Sequence, residues 1–116
     1  MIVGAAAVEI HIHGSQSLKS KRGVVRSISQ RVRNRFDLSV AEVGGQGTWQ
    51  LAVLGLATVG SDRRKVRALL DQALAYIEDL HLAEVLHTDV ELLDLPYCAS
   101  GWEGGESDLD APDSEE

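Results

Sequence analysis

The chain has 116 residues, enough for one domain, and 44% of them are hydrophobic, which suffices for a buried core. A single cysteine, Cys98, excludes an internal disulfide framework and a multi-cysteine metal site. The net charge of −7 does not exclude nucleic acid as a partner, because seven of the 18 acids follow Tyr97 and the rest balance the 11 Lys and Arg, all of which precede residue 68.

The first ten residues lack a basic leader, and Glu9 interrupts their apolar run, so no signal peptide is expected. No stretch approaches the ~18 apolar residues of a membrane span. The reading is a cytoplasmic protein. Val8 to His13 alternates, with Val8, Ile10 and Ile12 on one side and Glu9, His11 and His13 on the other, and predicts a strand. Gly14 to Ser17 breaks it, with Ser15 or Ser17 as the N-cap of a helix over Leu18 to Arg35. Val24, Val25, Ile28 and Val32 give that helix its apolar stripe.

Leu38 to Val43 reads as a second strand, Gly44 to Gly47 as a turn, and Trp49 to Val59 as a third strand. The third strand is apolar on both parities and is expected at the sheet centre, covered on both faces. Asp62 or Ser61 caps a second helix that runs to about Asp79, with Val66, Leu69, Leu70, Ala73, Leu74 and Ile77 as its stripe. The last strand runs from about Glu84 to Leu95, with Leu86, Val90 and Leu92 on the core parity, and Pro96 ends it. The expected domain covers residues 1–97. Residues 98–116, rich in acid, Gly and Ser, read as a disordered tail.

The order β-α-β-β-α-β predicts an α+β, ferredoxin-like fold. Two right-handed crossovers place both helices on one face of a four-stranded antiparallel sheet ordered 4-1-3-2.

Several short stretches carry a family likeness. Ser17-Leu18-Lys19, Lys21-Arg22, Asn34-Arg35-Phe36, Val40 to Gly44 and Trp49-Gln50 resemble the YlxP-like family of small bacterial proteins, catalogued as a domain of unknown function. The resemblance covers about Met1 to Leu95. It implies a ferredoxin-like fold, a bacterial source and gene company with translation initiation factor two and a ribosome-binding factor. It implies no catalytic residues. The acidic ending departs from the family's usual short one.

The strongest chemical feature is the first helix. Seven bases and no acid lie between Ser15 and Phe36. Lys19, Arg22, Arg26 and Arg33 fall on one outward face at ~100° per residue. Ser15, Ser17, Lys19 and Lys21 stand at a helix start, where free N–H groups favour a phosphate. The second helix opens with Arg63 and Arg64, and its patch is expected to merge with that of the first. Together these residues predict an RNA backbone interface without DNA sequence specificity. The plainer reading is a solvated helix face paired with acids of the fold.

A second candidate lies on the open sheet face. His11 and His13 face outward, as does His87 on the neighbouring last strand, and a suitable register would assemble a metal-binding His/carboxylate cluster. The plainer reading there is a polar sheet face or a dimer contact.

Other ferredoxin-like activities lack their residues. An acylphosphatase needs an Arg in the loop at Gly14 to Ser17 and an Asn on a strand, whereas the one Asn is Asn34 on the first helix. An RNA-recognition motif needs aromatics on the central strands. The expectation is therefore a non-enzymatic protein without a cofactor, binding RNA or a ribosomal particle as a translation or ribosome-maturation accessory factor and forming a homodimer through its sheet face. The alternative is a small-ligand or metal-binding regulatory domain.

Overall fold

The computed structural model describes residues 1–96. Tyr97 and the acidic segment 98–116, for which a disordered tail is expected, lie outside them. The element order is β1 (Ile2–His11), α1 (Leu18–Arg35), β2 (Ser39–Gly44), β3 (Leu51–Gly60), α2 (Arg63–Leu80) and β4 (Glu84–Asp94). All pairings are antiparallel and the sheet order is β2-β3-β1-β4, the expected ferredoxin-like arrangement.

β1 begins at Ile2 rather than Val8. Its first half is Gly and Ala, which favour strands weakly, but pairing on both sides holds it. Small residues are needed there because α2 lies close. A Cβ on Gly4 would come within 2.5 Å of Val66 Cγ1 and 2.9 Å of Leu70 Cδ1. Val8, Ile10 and Ile12 of the first strand and its extension join Leu54, Ile28, Val32, Leu70 and Ile77 in one core between sheet and helices.

Ser17 caps α1, its Oγ accepting from Ser20 N at 3.0 Å. Asp62 caps α2, accepting from Arg64 N and Lys65 N. α2 ends at His81 in the left-handed region, φ 55°. The β2–β3 turn requires Gly45, at φ 82°, where a Cβ would meet Leu51 O at 2.7 Å. Trp49 belongs to this turn, not to β3, and is exposed.

Two strand readings need correction. In β4, Val90 and Leu92 pack against the core as expected, but Leu86 does not join them. Glu9 pairs with His87 but Ile10 with Val85, so Leu86 is the extra residue of a β-bulge. Val85 packs against the core in its place, and Leu86 is 47% exposed. β3 is central, but only its even residues Ala52, Leu54 and Leu56 are buried; Ala57 and Val59 are exposed.

Candidate nucleic-acid interface

α1 rests on β2 and α2, while α2 covers β1, β3 and β4. The stripe that α1 buries runs Lys21, Val25, Ile28, Ser29 and Val32. Lys21 stands in helical phase with the apolar residues, at four- and three-residue steps, and is only 2% exposed. Its Nζ donates to Gly45 O at 2.8 Å and Leu51 O at 3.2 Å, and lies 3.2 Å from Glu42 Oε2. Glu42 Oε2 has no directed hydrogen bond of its own, so the ion pair is its compensation. Lys21 therefore ties α1 to both sides of the β2–β3 turn and is not available to a phosphate.

Ser15 is also removed from the expected interface. It is buried, and its Oγ donates to Ser17 O at 3.2 Å. Ser17 is exposed, with its hydroxyl committed to the cap.

The remaining cations of α1 are at the surface. Lys19, Arg22 and Arg26 are exposed and have no ion-pair partner among the described residues. Arg33 donates through Nη2 to Val40 O at 2.7 Å, which engages one edge of its guanidinium while the residue stays exposed. Arg31 donates to Ser27 Oγ, and Arg35 lies 4.9 Å above the Tyr76 ring. No acid occupies the first turn of α1, so its N-terminal partial charge has no carboxylate in that turn to neutralise it.

The two helix starts do not merge into one patch. His11, at the end of β1, pairs with Leu51 and Glu84, whereas Gly60, at the end of β3, pairs with Ile2. α1 and α2 thus leave from opposite ends of the sheet. Arg63, Arg64 and Arg67 line a groove with Val90, Glu91 and Leu92 on the β4 side. Arg67 Nε is held by both Asp71 carboxylate oxygens at 3.2 Å, and Asp62 already serves the N-terminus of α2.

The histidines divide differently from the expectation. His87 stands opposite Glu9, with Nε2 3.1 Å from Asp89 Oδ2. His11 pairs instead with Glu84, and His11, His13 and Glu84 converge. Sequence reasoning missed Glu84 because the bulge at Leu86 shifts β4 against β1; the adjacent apolar pair Val85-Leu86 is its only trace in the sequence.

The family described as Protein of unknown function (DUF503) matches residues 3–90. The chain belongs to this family. It is 40% identical over 77 residues to the Bacillus subtilis (strain 168) protein named uncharacterized protein YlxP, covering 66% of this chain and 84% of that protein. Among solved structures it is similar to the de novo designed protein Foldit4, with TM-score 0.47 and 11% identity over 82% of this chain and 98% of that one. It is likewise similar to At3g17210 from Arabidopsis thaliana, with TM-score 0.47 and 13% identity over 83% of this chain and 97% of that one. No helix among the described residues is long and apolar enough to cross a membrane.

Proposed function

We propose that the protein is a non-enzymatic, cytoplasmic RNA-binding accessory factor that acts on ribosomal particles through the outer face of α1. The observation that carries this reading is the row Lys19, Arg22 and Arg26. All three are exposed, lie within the first three turns of an acid-free helix, and lack an ion-pair partner among the described residues. Such a row attracts backbone phosphate without reading bases. Arg33 extends it toward the C-terminus of α1, and Arg63 and Arg64 offer a separate second contact. The alternative, a small-ligand or metal-binding regulatory role, draws its support from the histidine cluster.

The test is salt-dependent binding. The protein is expected to sediment with ribosomal particles at low salt and to leave them at high salt. Replacing Lys19, Arg22 and Arg26 together by Ala removes three cations that have no internal partner. Each phosphate contact on a single strand contributes about −0.7 to the slope of log affinity against log salt, so the triple variant is expected to flatten it by about 2. Failure to associate at low salt, or a slope unchanged in the triple variant, overturns the reading.

A further inference from the structure

We propose that His11, His13 and Glu84 form a binding site for a zinc-class divalent metal ion, a function separate from the basic helix. The donor atoms of the three residues lie within 4.8 Å of one another. His11 Nδ1 and His13 Nε2 are 3.3 Å apart, and His13 Nε2 is 2.8 Å from Glu84 Oε1. Two nitrogens bound to zinc at about 2.0–2.1 Å in tetrahedral geometry stand about 3.3–3.4 Å apart. The imidazole pair already has that spacing. The Glu84 oxygen sits about half an ångström inside that spacing from His13, and its exposed side chain leaves it free to adjust to both histidines.

The fold assembles this cluster in three steps. The hydrogen bond from Ile12 N to Gln50 O carries the β1 pairing one residue past His11, which keeps His13 on the same face. The bulge that extrudes Leu86 brings Glu84, rather than Val85, opposite His11. The two rings meet nearly at right angles, with centroids 4.2 Å apart, and this packing sets His11 Nδ1 beside His13 Nε2. A metal needs a lone pair from each of the three donors, so any proton held between them leaves to solvent when the cation binds.

Two histidines and one carboxylate suit zinc, and three protein ligands leave a fourth position. A depression bordered by His13 and Glu84 is also lined by Glu78, His81 and Leu82. It adjoins two of the three ligands.

The experiment is titration of the full chain with zinc by calorimetry, and with cobalt(II) by visible absorption. One metal per chain is expected, with cobalt bands of tetrahedral intensity and zinc-dependent protection against heat. His13→Ala and Glu84→Gln are each expected to weaken zinc binding by about tenfold or more. Both side chains are exposed, at 67% and 55%, so the variants keep the fold, and an unchanged far-UV spectrum verifies this. His87→Ala, which removes a histidine outside the cluster, is expected to leave binding unchanged. Absence of one-to-one binding overturns the proposal. So does binding that survives His13→Ala and Glu84→Gln, or that falls equally in His87→Ala, because each would place the metal elsewhere.

Discussion

Lys21 shows how one residue is diverted from a surface role to an internal one. Its ammonium has three donors, and the structure supplies two carbonyls and a carboxylate for them. A buried pair of this kind contributes little over an apolar replacement, but losing one partner strands the other. Lys21→Met is therefore expected to destabilise the protein by about 3 kcal/mol, the low end for a broken buried pair, because Glu42 keeps 23% of its side chain exposed. Lys21→Met combined with Glu42→Leu is expected to recover most of that loss. Urea denaturation of the three proteins measures both effects. A single variant as stable as the parent would show that the pair holds nothing together. The basic count between Ser15 and Phe36 hides this role, whereas the helical phase that joins Lys21 to Val25, Ile28 and Val32 reveals it.

At the scale of elements, the parts built on local chemistry were legible. Ser17 and Asp62 stand where a short polar side chain reaches orphan N–H groups, and both are caps. The stripe Val66, Leu70, Ala73 and Ile77 fixed the buried face of α2. Features set by partner strands were not legible. The Gly-Ala half of β1 is a strand because β3 and β4 flank it, and nothing local announces that. Strict alternation also fails across the β4 bulge, and this failure concealed Glu84 as a neighbour of His11. The bulge makes a sharp prediction about two adjacent residues. Leu86→Lys is expected to change stability by no more than about 0.5 kcal/mol, as at an ordinary surface position. Val85→Lys forces a charge toward the core and is expected to cost about 2 kcal/mol or more. Thermal unfolding of the two variants decides the register, since uninterrupted alternation reverses the order.

At the scale of the whole molecule, the two faces of the sheet differ in kind. The helices cover one, while the other carries a trough floored by Ala5, Ala7, Gly55 and Ala57, with Ala41 and Val43 on one side and Asp89 and Glu91 on the other. Val43, Val59 and Leu93 are exposed large apolar residues on the strands of this face. Contiguous apolar surface of this sort marks an interaction site. We propose that a second copy of the chain covers it. A two-fold interface sets one patch against the same patch of a second copy, so exposed valines can seat over the small residues of the partner's floor, and two-fold dimers are the commonest closed assembly. Asp89 and Glu91 then set the limit of the contact, because burying them without a counter-charge is costly. Light scattering at micromolar concentration is expected to give twice the chain mass. Ala57→Arg places a charge on the exposed floor of the trough, where a single chain tolerates it and an apolar dimer does not. That variant is expected to have the mass of one chain with an unchanged far-UV spectrum. A parent protein of one-chain mass, or an Ala57→Arg variant that remains a dimer, would show that the second copy does not occupy this face.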